Sequence, residues 1–461
     1  MTIWTPDLTK RAGPRYRAIA DALADDVRAG RLKEGTRLPT HRDLAGALRV
    51  TVGTVSRAYS EAERRGLIKG EVGRGTFVRR DHPRPLDFGM RAREESSLID
   101  LSLNFPMSEA EDRLLRKGLL ALSKDQRLGR LLEYLPHAGL PRHREAGAAW
   151  VRRSGLETRS DQVIVCNGAQ HGLAIALATI APPGGVVLTE SLTYPVFKTL
   201  AALLHLKVAG LPLDDEGLRA DAFEAACRSS AAKILYCIPT IQNPTATVMP
   251  EARRRKIAAI AQAHDVTILE DDIYGLLPKG RPLPIAHYAP DHTVYVTSLS
   301  KTLTPGLRIG YLAAPRRLVD RMIPAMGATT WMASPLMADL AARLIEDGTA
   351  EALLERKRGE AAARQALAAK ILGPPPGAHP HSYHLWLPLP EPWRGEDFAS
   401  QARRRGVAVN PGEVFAAGSV KAPAAVRVCL GAARSRAQLE KGLVILRETL
   451  DRTQHGELAI V

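Results

Sequence analysis

At 461 residues the chain is longer than one hydrophobic core normally serves, so more than one domain is expected. The net charge of +15 is uneven: residues 1–80 hold 17 Lys/Arg against 9 Asp/Glu, net +8, and the other 381 residues hold 47 against 40, net +7, which points to a polyanionic partner at the N-terminus. Against a membrane span or export stand the prolines Pro182 and Pro183, which break the best apolar run (172–188), and an opening "MTIWTPDLTKR" without a signal core; four scattered cysteines, Cys166, Cys227, Cys237 and Cys429, suit reduced thiols in a cytoplasmic protein.

Residues 1–80 read as three helices and a hairpin. Ile19, Leu23 and Val27 recur at helical spacing, and "AGRLKEGTRLP" ends that helix with Gly and Pro. Thr40 with Asp43 caps a second helix, "HRDLAGAL", and the short turn "RVT" leads to a third, "VGTVSRAYSEAERRG". Two short helices across a tight turn describe a helix-turn-helix, whose second helix enters the major groove of DNA. Its small, polar or basic early residues Thr51, Gly53, Thr54, Ser56 and Arg57 suit that groove, and Arg42 starts the helix before it. "GLIKGEVGRGTFVRR" then reads as two strands about Gly73-Arg74-Gly75, a wing with Arg74 at its tip. "GTRLPTHRDLA", "TVGTVSRAY" and "GLIKGEVGRGTFV" together resemble the winged-helix domain of GntR-type transcriptional regulators. Residues 81–97, polar and proline-containing, are the expected linker.

From Leu98 onward, apolar β-rich runs alternate with helical patterns, which indicates a mainly parallel sheet covered on both faces. In such sheets ligands bind at the C-terminal strand ends, and the notable polar residues fall there. "QVIVC" leads to Gly168, Ala169 and Gln170 at the start of a helix, "KILYCIPT" to Asn243, and "VTILE" to Asp271 or Asp272 and Tyr274. "HTVYVT" leads to Ser298 and Lys301, with Arg308 seven residues beyond the lysine. Together these groups meet the needs of pyridoxal 5′-phosphate (PLP). Lys301 is the Schiff-base amine, Asp271 the carboxylate for the ring nitrogen, and Asn243 with Tyr274 the donors to the phenolate oxygen. Gly168, Ala169, Gln170, Ser298 and Arg308 form the phosphate cradle.

"NPTA", "DDIY", "SLSK" and "LRIGY" resemble the motifs of the fold type I, class I/II aminotransferases, over about residues 98–450. The family's D-x-x-Y spacing selects Asp271 over Asp272. The resemblance further implies that Tyr194 stacks on the ring, that Tyr134 reaches the phosphate across a dimer interface, and that Arg427 grips an effector α-carboxylate. Two residues depart from the pattern: Asn104, near the carboxylate site, and Ala246 each replace a glycine.

The expected fold is thus an N-terminal winged helix-turn-helix (α+β, residues 1–80), a linker (81–97) and a large α/β domain of the fold type I aminotransferase type (98–461). That combination resembles the MocR subfamily, which implies a PLP-dependent regulator, a homodimer on an operator of double-stranded DNA, sensing a small amino-containing effector by exchange at Lys301. The other readings are an active aminotransferase with a tethered DNA-binding domain, and a DNA-binding protein whose second domain is only a dimerisation scaffold.

Overall fold

The computed structural model describes residues 4–8, 13–33, 35–64, 67–71, 75–78, 98–106, 111–375, 377–418 and 420–451. The chain divides into two compact units, Met1–Arg91 and Ala92–Val461. The expected linker 81–97 and the wing tip with Arg74 lie outside the described residues.

In the first unit the helices are Arg15–Arg28, His41–Leu48 and Val52–Arg64, followed by the antiparallel strands Ile68–Glu71 and Gly75–Val78. Ile19 and Leu23 from the first helix, Leu44 from the second and Val55, Ala58 and Ala62 from the third close one core with Ile68 and Val78. Those positions recur at helical spacing, so each helix buries one stripe and leaves the rest to solvent. Thr40 caps the second helix by accepting the Asp43 N–H at 3.3 Å, and Arg49 ends it in the left-handed region at φ 52°. The Tyr59 hydroxyl donates to Pro39 O at 2.8 Å, which ties the third helix to the entry of the second.

The second unit is built on a seven-stranded sheet in the order Val163–Cys166, Gly310–Ala313, Thr293–Ser298, Thr267–Asp271, Ile234–Cys237, Val186–Glu190, Lys207–Leu211. Only Gly310–Ala313 runs antiparallel to its neighbours. The central strands Ile234–Cys237, Thr293–Ser298 and Gly310–Ala313 are buried along their whole length, as expected where helices cover both faces. Helix Ala169–Ile180 packs on one face, where a Cβ at Gly172 would meet Val296 Cγ1 at 3.4 Å. On the other, helix Glu251–Ala263 buries Ile257, Ile260 and Ala261. Among the described residues no helix is long and apolar enough to cross a membrane.

A smaller lobe has its own core, in which Ile99 and Leu101 meet Leu385, Val407, Val426 and Leu439. Strand Ile99–Asp100 pairs in parallel with Val407–Ala408, and Cys429 N donates to Leu101 O at 2.8 Å. The first stretch after residue 97 is therefore stitched into this lobe, and its continuation, Ser102–Asn104, runs into the site described below.

Ala246 sits at φ 63° with its N–H donated to Gln242 O at 2.7 Å, the left-handed conformation that a Cβ disfavours. Replacing it by glycine removes that penalty at some cost in backbone entropy. Ala246→Gly is expected to raise the melting temperature by about 1–2 °C, checked by calorimetry.

Candidate functional site

The strand ends converge as the topology requires, and Lys301 stands at their centre. It follows strand Thr293–Ser298 through a tight turn, and its Nζ donates to the backbone carbonyl of Asn104. Its ammonium lies 5.8 Å from the centroid of the Tyr274 ring. Burial pulls the Lys301 pKa down to about 8, with Arg427 and Arg308 pushing the same way and Asp271 opposing them. An amine so placed gives up its proton near neutral pH, which a nucleophilic lysine requires.

Asp271 and Asp272 turn out to have separate tasks. Asp272 accepts from Arg281 and, at 2.7 Å, from the Tyr295 hydroxyl, both on Oδ2, and pairs with the buried Arg281 guanidinium, while its Oδ1 is buried without a hydrogen-bond partner. Asp271 accepts the Tyr236 hydroxyl on Oδ2 at 2.8 Å, while its Oδ1 is buried without a protein partner. Burial lifts its pKa to about 6. A buried oxygen with an empty lone pair is costly unless a donor arrives, and the protonated nitrogen of a pyridine ring is such a donor.

Arg427, 6% exposed, is held by three contacts. Nη1 donates to Asn243 Oδ1 at 2.7 Å, Nη2 donates to Ser102 O at 2.8 Å, and the guanidinium lies 4.8 Å from the Phe415 ring centroid. Its Nε is buried without a partner. Two bonds thus fix the plane of the fork and leave a donor for an incoming carboxylate. Because Asn243 spends its oxygen on Arg427, its amide hydrogens stay available.

The anion cradle forms at the start of helix Ala169–Ile180, whose N-cap Gly168 has φ 80°. A Cβ on Gly168 would meet Arg308 Nη2 at 2.6 Å and push that guanidinium aside, and the positive φ favours glycine there. Arg308 Nη2 donates to Asn167 O at 3.3 Å, and Gln170 Nε2 donates to the Tyr194 hydroxyl at 3.1 Å. Ser298 is buried, with its Oγ accepting the Ser300 N–H at 3.3 Å. Helix N–H groups, an arginine and serines on one spot suit a phosphate.

Tyr134 differs from these groups. It is 81% exposed and packs beside Trp331, ring centroids 5.2 Å apart, with Leu132 also exposed.

Sequence reasoning missed three contributors, Tyr236, Tyr383 and His384. Tyr236 holds Asp271 and stacks on Phe197 at 3.7 Å, and the Tyr383 hydroxyl donates to Lys301 O at 2.7 Å. His384 Nε2 lies 3.0 Å from Gln242 O, and its Nδ1 lies 2.9 Å from Asn104 Nδ2, which also donates to the Tyr274 hydroxyl at 2.8 Å.

In the first unit, Arg42, Thr51, Gly53 and Arg57 are exposed and Thr54 is half-buried. The Thr51 hydroxyl accepts the Thr54 N–H at 3.1 Å and so caps the third helix. Ser56 Oγ is 3.2 Å from His41 Nδ1 and is engaged within the protein, while the Arg57 guanidinium lies 4.7 Å from the Tyr16 ring centroid.

Residues 15–78 match the family model "Bacterial regulatory proteins, gntR family", and residues 96–446 match "Aminotransferase class I and II". The HTH-type transcriptional regulator YdeF of Bacillus subtilis is 33% identical over 455 residues, 97% of each chain. The probable rhizopine catabolism regulatory protein MocR of Rhizobium meliloti is 28% identical, covering 76% of each chain. Among solved structures, a kynurenine aminotransferase of Pyrococcus horikoshii shares the fold with a TM-score of 0.72 at 24% identity, over 78% of this chain and 92% of that one. A gntR-family region followed by a class I and II aminotransferase region, with a regulator relative aligned over nearly the whole of both chains, places this chain in the MocR subfamily of GntR-type transcriptional regulators.

Proposed function

We propose that this PLP-dependent transcriptional regulator senses a small effector carrying both an amine and a carboxylate, and that occupancy of the site changes its grip on operator DNA. The observation that carries the reading is the pairing of a desolvated lysine, Lys301, with a carboxylate fork, Arg427, both donating to one short backbone strip, Ser102 to Asn104.

The residues fit PLP: the unpartnered Asp271 Oδ1 awaits a ring N–H, and the Gly168 turn with Arg308 offers an anion cradle. Bound PLP supplies an aldehyde that couples to amines and a protonated ring that withdraws electrons. Lys301 would hold it covalently, with Asn243 and Tyr274 as donors to its phenolate oxygen and Tyr194 against the ring face. Gly168, Ala169, Gln170, Ser298 and Arg308 would hold its phosphate. An effector amine competes with Lys301, and its carboxylate takes the free Arg427 Nε. Lys301 then serves as proton acceptor and donor beside the exchange, while the polar network behind Tyr274 holds the geometry.

The protein acts as a cytoplasmic homodimer in this reading. Leu132, Tyr134 and Trp331 form an exposed apolar patch that a second copy would cover, with Tyr134 reaching the partner's phosphate site. Two recognition helices then meet an operator with two half-sites. Operator binding with and without a panel of amino acids tests the proposal, and indifference to every one of them counts against it.

Arg57 is exposed on the third helix. Arg57→Ala is expected to weaken operator binding about tenfold and to flatten the salt dependence by roughly one counterion, read from binding isotherms at several salt concentrations.

A further inference from the structure

The side chain of Asn104 is bound on two sides, and its orientation is dictated rather than free. Gln242 O can only accept, so His384 Nε2, 3.0 Å away, carries the ring hydrogen. Burial lowers the His384 pKa to about 3, so the ring is neutral and its Nδ1 presents a lone pair. Asn104 must therefore turn its NH2 group to His384, at 2.9 Å, and the second hydrogen of that group reaches the Tyr274 oxygen at 2.8 Å. The cost is Asn104 Oδ1, buried without a partner. Tyr274 consequently accepts from Asn104 and cannot donate to it. Among the described residues no acceptor takes the Tyr274 proton, which leaves it for a ligand.

We propose that Asn104 is a positioning residue: braced by His384, it commits the Tyr274 hydroxyl to donate into the site, and thereby lowers the proton affinity of the Lys301 nitrogen when PLP is attached to it. The proposal rests on the PLP reading given above. Its physical basis is competition for one oxygen. A donor to the phenolate oxygen draws off the charge that would otherwise hold a proton on the neighbouring nitrogen, so losing that donor raises the nitrogen's pKa. The other charged and titratable groups around Lys301 and Tyr274 are Asp271, Arg308, Arg427, Cys429, Tyr194 and His384. Of these, a substitution at 104 touches only His384, whose neutral ring loses the hydrogen bond to its Nδ1, and the Lys301 bond to the Asn104 backbone carbonyl survives it.

The experiment is a pH titration of the visible absorbance of full-length protein loaded with PLP, in wild type, Asn104→Ala, Tyr274→Phe and the double variant. Asn104→Ala is expected to raise the midpoint by about one pH unit, a tenfold change in proton affinity. In the Tyr274→Phe background the same substitution is expected to shift nothing further, since Asn104 acts only through that hydroxyl. An unchanged midpoint in Asn104→Ala, or an equal shift in both backgrounds, overturns the proposal. Asn104→Ser, too short to reach both partners, is carried in parallel in case the alanine variant does not fold, and is expected to shift in the same direction. Absence of any Lys301-dependent band in the wild type would instead remove the PLP reading itself, so the two failures are distinguishable.

Discussion

Lys301→Ala is expected to abolish the visible absorbance that PLP gains on attachment to the protein and, with it, the whole response of operator binding to effector. The coupling between effector and DNA in such switches is typically about 5- to 150-fold in affinity, and it should fall to none. Affinity for the operator without effector should stay within about twofold, because the winged helix lies in a separate compact unit with its own core. The physical reason is that the lysine donates to the Ser102–Asn104 strip and, on the proposed reading, would also be the attachment point. Alanine removes both roles together, while the pocket that holds the ring and phosphate keeps its other groups. Titration with PLP followed by operator-binding measurements checks each part, and an effector response that persists in Lys301→Ala would show that amine exchange is not the signal.

Arg427→Leu is expected to reduce affinity for a carboxylate-bearing effector about 100-fold, the loss when one partner of a buried charge pair is removed. The variant also leaves Asn243 Oδ1 and Ser102 O without their donors, at 2.7 and 2.8 Å in the intact protein, so part of any loss is structural. A matched amine without the carboxylate separates the two effects. Its affinity should change less than about threefold, because it never used the fork, whereas a general collapse of the site would weaken both compounds equally.

Both predictions concern residues that stood out in the sequence, and it is instructive why they did. The helix-turn-helix was legible because its signals are local: a Thr40–Asp43 cap, a helical stripe, a glycine-flanked turn. The strand-end groups were legible because each follows a continuous apolar run, and the D-x-x-Y spacing picked out Asp271. The structure places Asp272 against Arg281 and Tyr295 instead. What could not be read was the bracing. Tyr236 lies in a strand buried on every residue, so alternation gave no hint of which hydroxyl meets Asp271. The link from Gln242 to His384 to Asn104 joins residues 142 and 280 positions apart. No local pattern encodes such contacts, because they exist only once the smaller lobe closes on the sheet.

The position of the Ser102–Asn104 strip has one more implication. Its carbonyls receive the hydrogens of Arg427 and Lys301, and it begins just after the segment that connects the two units. On the proposed reading, a ligand that recruits those donors would alter the anchorage of the chain where it enters the second unit. If such coupling operates, thermodynamic reciprocity runs the other way as well: strain placed on the linker by a bent or badly spaced operator would change amine affinity by the same factor. The promoter's geometry would act on the small-molecule site as an effector in its own right.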